Sequence, residues 1–349
     1  MPDIEKVREL QSKVMKDIAA GAIIPIMMIG DELGLFEKLY KFGPCSSNKF
    51  AKKTEMDHRY LREWLLALSA AGYVSYESKT EFFSLSDEQY SVLGDENSPS
   101  LMIGGFENLV GAVHNYHLIK QNFKTGKGTE WGSLHPCCLS GSARFFKPAY
   151  SIFLINKWLP SIKGAVSTLN KGGSFADIGC GFGHSTTMIA EQYPQSSVKG
   201  IDPHEQSIHE AQKIAEQKNL NNLSYEIATA ESYSGEYDII SFFDCLHDMG
   251  DPIAAVSYAK TKLKPGGALM IIEPYANDEV SKNFNIIGQM YYAFSTIACV
   301  PASKSQEGGM ALGAQAGLKK LTNVLNNGGF SKVEMTYKTA SNMVIEARV

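Results

Sequence analysis

The residues best suited to chemistry are an aspartate and three evenly spaced glycines. Asp177 precedes Gly179, Gly181 and Gly183, and the group follows a short apolar run over residues 174–178. Glycine suits a sharp turn with positive φ, and its bare backbone lets a ligand lie against the chain. A helical pattern follows the glycines. The order of strand, glycine turn and helix predicts the first βα unit of a doubly wound α/β sheet, with a cofactor bound at the turn.

The spacing of the glycines separates two classes of cofactor. In the dinucleotide fingerprint the third glycine falls five positions after the first, which in this chain is His184. Gly183 comes one position early, so the pattern does not favour a nicotinamide dehydrogenase. Asp202 ends the next apolar run, and its two carboxylate oxygens suit the two hydroxyls of a ribose. We expect the following helix to begin at Pro203.

A second chemical group follows the fourth apolar run, over residues 237–243. His247 and Asp248 lie just beyond it, and ligands bind at the carboxyl ends of the strands in an open α/β sheet. Imidazole titrates near neutrality and can remove a hydroxyl proton, while an adjacent carboxylate can orient the ring. The alternative is a structural histidine that caps the helix beginning at Asp251 or fills the floor of the cleft.

Both segments resemble known sequences. The pattern D-x-G-x-G-x-G resembles motif I of the class I S-adenosylmethionine-dependent methyltransferases. The phrase Leu-His-Asp-x-x-Asp resembles the segment of small-molecule O-methyltransferases that carries their catalytic histidine, which maps onto His247. The resemblance implies S-adenosylmethionine as cofactor and a small-molecule acceptor, with a hydroxyl oxygen favoured and nitrogen or carbon as alternatives. The cofactor-binding residues that we predict are Asp177, Gly179, Cys180, Gly181, Gly183, Asp202, Pro203, Thr229, Ala230 and Phe243.

The adenine contact departs from the family pattern. These methyltransferases usually carry an aspartate beside the adenine after the third strand, which we expect at residues 223–227. This chain has Ala228-Thr229-Ala230-Glu231 at that position. The departure leaves the Thr229 side chain or the Ala230 backbone to meet the adenine edge.

The sequence pattern of residues 1–95 predicts a helical region that contains a winged helix. Helical spacing predicts a packed start that contains Val7, Leu10, Val14 and Ile18. Ser46 and Asp57 can cap two short helices, and extended pieces at 73–77 and 81–85 can form the wing. The phrase Arg-Tyr-Leu-Arg-Glu-Trp-Leu at 59–65 resembles the N-terminal domain of small-molecule O-methyltransferases, where this domain serves dimer contact and substrate enclosure. A homodimer is compatible with that role.

A winged helix is also a common DNA-binding module, so a DNA-binding regulator that senses the cofactor is a competing hypothesis. The second helix carries His58, Arg59 and Arg62, but also Asp57 and Glu63. A face of mixed charge is more often simply solvated, and we do not expect nucleic acid as a partner.

We predict three regions in the chain. They are the winged-helix domain at 1–95, a helical linker at 96–165 and the cofactor-binding domain at 166–349, which ends in an antiparallel hairpin at 330–337 and 342–349. Helix packing is the first interpretation of the aromatic residues, and a minority can line a substrate pocket. Our candidates for that pocket are Trp131, Phe146, Tyr150 and Tyr291.

Composition sets the remaining expectations. The 349 residues are 44% hydrophobic and 20% charged, with a net charge of −4, which is ordinary for a globular protein and gives no general attraction to nucleic acid or anionic membranes. The longest apolar run, at 19–29, is too short to span a bilayer. The charged start also lacks the layout of a secretory signal, so we expect a cytoplasmic protein. The six cysteines lack paired metal-binding spacing, so we expect reduced thiols and no metal site.

Overall fold

The computed structural model describes residues 1–349 and divides them into two compact units. The first unit comprises residues 1–111 and 140–148, and the second comprises residues 112–139 and 149–349. The stretch 96–165, predicted as a linker, is therefore shared between the two units.

The secondary structure is mostly helical outside one large sheet. The α-helices are α1 (Ile4–Glu32), α2 (Leu35–Phe42), α3 (Ser47–Thr54), α4 (His58–Ala70), α5 (Asp87–Leu93), α6 (Ile103–Thr125), α7 (Pro136–Ala149), α8 (Leu159–Ser161), α9 (Ala165–Asn170), α10 (His184–Gln192), α11 (Glu205–Gln217), α12 (Pro252–Lys262), α13 (Ile286–Phe294), α14 (Val300–Ser305) and α15 (Gly317–Asn327). Shorter segments are 3₁₀ turns at Trp131–Ser133, Leu246–Asp248 and Val280–Asn283, and π-helical segments at Tyr150–Trp158 and Ser295–Cys299.

Helix α1 packs only by its C-terminal half. Its buried residues are Met27, Met28 and Gly30, whereas the apolar residues of the first half are exposed. The expectation of a packed start is therefore wrong for Val7, Leu10, Val14 and Ile18, whose exposed fractions lie between 39% and 62%. The pattern correctly indicates a helix, but nothing within the first unit covers this stripe.

The winged helix forms as predicted from its caps. The side chains of Ser46 and Asp57 accept hydrogen bonds from the backbone at the starts of α3 and α4. Strands β1 (Ser75–Glu77) and β2 (Phe82–Ser84) pair antiparallel as the wing. The indole of Trp64 is buried and donates to the carbonyl of Ile26 at 2.9 Å, which ties α4 to α1.

One partly buried arginine joins several elements of the first unit. The Arg144 guanidinium donates to both carboxylate oxygens of Asp31 at 2.8 and 3.1 Å, and to Glu107 at 2.8 Å. It also pairs with Glu96. These contacts connect α7 with the end of α1, with α6 and with the loop before α6.

The second unit is built on a seven-stranded sheet in the order β5-β4-β3-β6-β7-β9-β8. The first five of these strands are parallel, and β9 pairs antiparallel with β7 and β8. This confirms the predicted doubly wound fold with a C-terminal antiparallel hairpin. The strands are β3 (Ser174–Ile178), β4 (Ser197–Asp202), β5 (Leu223–Ile227), β6 (Tyr237–Phe243), β7 (Leu263–Pro274), β8 (Lys332–Lys338) and β9 (Asn342–Arg348).

Strand β7 begins directly after α12. The helix ends at Lys262, and Leu263 already belongs to the strand. The pairing with β6 shifts register between Tyr237 and Ile239, so the intervening residues of β7 form an irregular stretch beside the neighbouring strand. Gly266 lies there with a φ of 78°.

No single helix has both the length and the apolar character needed to span a bilayer. Helices α1 and α2 meet the requirement only when taken together, across a bend of 69°.

Candidate active site

The glycine loop joins β3 to α10 with three residues in left-handed backbone conformations. Gly179, Gly181 and Gly183 have φ values of 73°, 51° and 72°. A Cβ at Gly183 would overlap the hydroxyl of Tyr225, and one at Gly179 would lie 2.8 Å from Cys245 Sγ. Glycine is therefore favoured by conformation at all three positions and required by space at two of them.

Asp202 holds the loop from the neighbouring strand. One of its oxygens accepts the Gly181 amide at 2.9 Å, and the other accepts the His204 amide at 2.8 Å. The next helix starts two residues later than expected, at Glu205 rather than Pro203, because His204 occupies the cap and its side chain accepts from Ser207 N. Pro203 lies exposed in the turn between Asp202 and that cap.

Asp177 is buried beneath the loop. Its two oxygens accept from the hydroxyls of Ser185, at 2.5 Å, and Ser241, at 3.0 Å. Burial raises the pKa of the Asp177 carboxyl to about 7, although the two hydroxyls act in the opposite direction. The predicted cofactor residue thus also connects β3 with α10 and β6.

The predicted adenine segment lies just beyond β5. The Thr229 backbone amide donates to Ser232 Oγ at 3.0 Å, and the two hydroxyls lie 2.9 Å apart. Ala230 is partly buried against the core of the second unit. These contacts fix a tight turn with the Thr229 side chain exposed.

His247 lies on the 3₁₀ turn after β6 and is buried between two carboxylates. Its Nδ1 is 2.5 Å from Glu273 Oε2, and its Nε2 is 3.2 Å from Asp248 Oδ1. Burial alone would lower the pKa of His247, but Asp248 and Glu273 hold that pKa well above 6.5. The Glu273 carboxylate also accepts the backbone amide of His247 at 3.2 Å, so it fixes both the ring and the turn.

Asp244 forms a second polar group beside the histidine. It has a φ of 52°, which a residue with a side chain adopts only at a cost of roughly 1–3 kcal/mol. Its carboxylate accepts from Tyr150 Oη at 3.2 Å and from Asn342 Nδ2 at 2.9 Å. Burial raises the pKa of Asp244 to about 8, and the charge of Glu273 adds to that rise.

The aromatic candidates lie in different surroundings. The Tyr150 ring is 5.9 Å from the ring of Phe243, at the carboxyl end of β6. Tyr291 is buried beside Cys299, and burial together with Asp244 raises the pKa of its phenol. Trp131 packs in a small cluster with Phe182 of the glycine loop. The remaining candidate, Phe146, belongs to the first unit, where its ring centroid is 5.6 Å from that of Phe145.

The second unit therefore brings His247, Asp248, Phe243 and Tyr150 together. Sequence reasoning did not select Glu273, Asp244 or Asn342 as site residues. One signal was available for Glu273, because a carboxylate ends an otherwise apolar strand at the edge where ligands bind. Nothing comparable marked Asn342, which begins the last strand of the sheet.

Comparisons with known proteins match both parts of the chain. A methyltransferase domain model matches residues 169–329, and an Rv2258c-like winged HTH domain model matches residues 21–94. The ubiquinone biosynthesis O-methyltransferase of Acinetobacter baylyi is 28% identical over 151 residues, which are 42% of this chain and 60% of that protein. The trans-aconitate 2-methyltransferase of Deinococcus radiodurans is 30% identical over 105 residues, or 30% of this chain and 39% of the relative. The chain thus spans less than two thirds of the length of either relative.

Solved structures match over nearly the whole chain. An O-methyltransferase family protein from Burkholderia thailandensis has a TM-score of 0.69 at 14% identity, covering 100% of this chain and 98% of that one. Human N-acetylserotonin methyltransferase in complex with S-adenosylmethionine has a TM-score of 0.69 at 15% identity, with 97% of each chain covered. At these identities the likeness shows a common fold.

Proposed function

We propose that this chain, which contains a methyltransferase domain after an N-terminal winged helix-turn-helix domain, transfers a methyl group from S-adenosylmethionine to a hydroxyl oxygen of a small molecule. The observation that carries the proposal is the buried imidazole of His247 at the carboxyl end of β6, oriented by Glu273 at 2.5 Å. Ligands bind at this edge of an open α/β sheet. The proposed base would therefore lie close to the cofactor.

The glycine loop fits the proposed cofactor. Its left-handed glycines leave the backbone uncovered, and Gly181 is held by Asp202 of the next strand. We assign the loop to the methionine end, Asp202 to the ribose, and Thr229 with Ala230 to the adenine. When bound, the cofactor supplies an activated methyl group. The protein then has to orient the acceptor and remove its proton.

His247 would accept that proton at Nε2, because Nδ1 faces Glu273. The carboxylates on both sides of the ring stabilise the imidazolium that forms and so raise the pKa of His247. The ring must therefore release its own proton before it can act as the base. Asp248, 3.2 Å from Nε2, would stabilise the charge on the ring once the proton has moved to Nε2. Our candidates for contact with the acceptor in the second unit are Tyr150, Tyr291 and Trp131.

The test is replacement of His247 by alanine. Loss of a general base should lower kcat by roughly 10²- to 10⁴-fold and leave the affinity for S-adenosylmethionine unchanged. His209→Ala is the matched control, because that histidine is exposed on α11. Unchanged turnover of the true acceptor by His247→Ala would contradict proton abstraction and favour methylation of nitrogen or carbon.

The acceptor can be found directly. The protein is incubated with labelled S-adenosylmethionine and a metabolite extract, and the labelled product is identified. A product labelled on oxygen supports the proposal. Failure of the protein to bind the cofactor would contradict it.

One observation favours a second function. The winged helix-turn-helix match at 21–94 is the type of module that reads DNA. Against this, Arg59 on α4 pairs with Glu63, so part of the positive charge of the reading helix is neutralised. Retention of the protein on DNA that weakens steeply with salt would favour a regulator.

We also propose that the chain forms a homodimer through the first half of α1. Its exposed apolar stripe consists of Ile4, Val7, Leu10, Val14, Met15 and Ile18. Residues 3–17 carry four acidic and four basic side chains, so two copies would meet without net repulsion. Leu10→Glu should therefore shift the protein to monomers in light scattering, whereas Ser12→Glu, outside the stripe, should not. An unchanged mass for Leu10→Glu would contradict the dimer.

We propose that residues 166–349 act as the cofactor-binding domain and that the winged-helix region at 1–95 supports assembly. The cytoplasm is our proposed location. All six cysteines are free thiols in the structure, as a reducing compartment would keep them. Fractionation of cells that express the tagged protein would test this location.

A further inference from the structure

Cys299 places a thiol beside the proposed base. The ligand atoms of His247, Asp248 and Cys299 all lie within 4.8 Å of one another. We propose that these three side chains form a binding site for a thiophilic divalent cation such as Zn²⁺, and that the bound cation reversibly blocks His247. Metal binding itself is independent of methyl transfer, and only the inhibition depends on the proposed function.

The donor set is typical of a zinc site. One nitrogen, one carboxylate oxygen and one sulfur are ligands that Zn²⁺ accepts, and three protein ligands leave a fourth position for water or another small ligand. The 3.2 Å between His247 Nε2 and Asp248 Oδ1 is close to the separation of two ligands on a tetrahedral zinc with bonds of about 2.0–2.1 Å. These two donors would need little rearrangement to bind.

The surroundings of His247 supply the usual second layer of such a site. A histidine that binds a metal normally donates a hydrogen bond from its other ring nitrogen, often to a carboxylate, and this bond fixes the orientation of the ring. Glu273 accepts this bond from Nδ1, at 2.5 Å, and is itself buried. His247 Nε2 therefore faces Asp248 and Cys299 with its direction already set.

An unsatisfied acceptor points to a cation in the same place. Asp248 Oδ1 is buried and accepts no hydrogen bond of acceptable geometry, although the His247 ring faces it. A buried carboxylate oxygen without such a partner is costly, and a divalent cation would satisfy it. The third donor arrives on a π-helical segment, Ser295–Cys299, a form that occurs often at functional sites.

The spacing rules for zinc ligands do not detect this arrangement. His247 and Asp248 are adjacent in the sequence, but Cys299 follows on another helical segment. The three residues meet only because the 3₁₀ turn after β6 packs beside that segment. The sequence alone therefore predicts no metal site.

A bound cation would occupy the nitrogen that the proposed base needs. Zinc at Nε2 would prevent His247 from taking a proton, so the cation would act as an inhibitor that a chelator removes. Because the cation binds where the base acts, its effect should not require any change of fold.

Cobalt(II) is the probe of choice, because cobalt bound to a thiolate gives a charge-transfer band. The full-length protein without cofactor is titrated with Co²⁺, then with Zn²⁺ as competitor. We expect one equivalent of Co²⁺ with the thiolate band in the wild type and in Cys137→Ser, which controls for another thiol. Cys299→Ser should lose the band.

Glu273→Gln is a second variant that tests the site if Cys299→Ser folds poorly. Glu273→Gln retains all three ligands and should weaken Co²⁺ binding by roughly 10- to 100-fold. Absence of saturable binding to the wild type, or a thiolate band that survives in Cys299→Ser, would overturn the metal site. For inhibition, each variant is compared with its own metal-free rate. Zn²⁺ inhibition of equal strength in Cys299→Ser would overturn the link to the base.

Discussion

Replacing Asp177 by asparagine should stabilise the cofactor-free protein at alkaline pH. Burial raises the pKa of this carboxyl from 3.8 to about 7. The folded state therefore holds the proton more tightly than the unfolded chain does. The stability contributed by this group is fully present below pH 3.8 and is lost as the pH rises through about 7.

The size of the effect follows from the shift. At about 1.36 kcal/mol per pKa unit, ionising Asp177 in the folded state costs roughly 4 kcal/mol. Of this, roughly 2–3 kcal/mol should be lost between about pH 5 and pH 8. Asparagine has no such proton, but its amide matches the hydroxyls of Ser185 and Ser241 less well, at a cost of about 1 kcal/mol. We expect a net gain of roughly 3 kcal/mol at about pH 8.

Urea unfolding of the cofactor-free protein between pH 5 and pH 8 is the assay. The wild type should lose stability across this range more steeply than Asp177→Asn. Asp238→Asn is a control of opposite sign, because Ser174 and Lys264 outweigh burial and hold the pKa of Asp238 low. If Asp177→Asn is less stable than the wild type at pH 8, or keeps the wild-type slope, the reasoning is refuted. The gain should come with weaker binding of S-adenosylmethionine.

Two further substitutions test the two units, one in each. Arg144→Met should cost roughly 1–3 kcal/mol of unfolding free energy, because it removes the cation from the partly buried carboxylates of Asp31 and Glu107. The exposed Arg59→Met should cost under about 1 kcal/mol. Equal losses in denaturant titrations would contradict the role of Arg144. Gly183→Ala should abolish measurable cofactor binding in calorimetry, because it combines a left-handed φ with a clash. Gly164→Ala shares the positive φ but has open space, and an equal loss there would refute the steric argument.

The sequence was sufficient for the local features of the cofactor domain. Strands β3, β5 and β6 have the predicted bounds, because apolar residues either alternate or follow one another within each short segment. The glycine loop is predictable because its glycines suit the left-handed backbone of the turn. The cap of α12 is predictable because one side chain, Asp251, accepts the Ala254 amide. In each case the cause lies within a few residues of the effect.

What escaped prediction depends on contacts between distant parts of the chain. Glu273 reaches His247 from the next strand, and Asn342 reaches Asp244 from the last one. The prediction that the first half of α1 is packed failed for a related reason. Helical periodicity reports which side of a helix is apolar, but it does not say whether another element covers that side.

The position of β9 has a consequence for the order in which the site forms. This strand comes after every other strand in the chain, yet it lies between β7 and β8 in the sheet. It pairs with the strand that carries Glu273, and its first residue, Asn342, holds Asp244. During synthesis on the ribosome, β7 therefore keeps an open edge, and the polar groups around His247 stay incomplete until this late insertion. A nascent chain that has not yet made β9 should bind no acceptor, which delays activity until the sheet is complete.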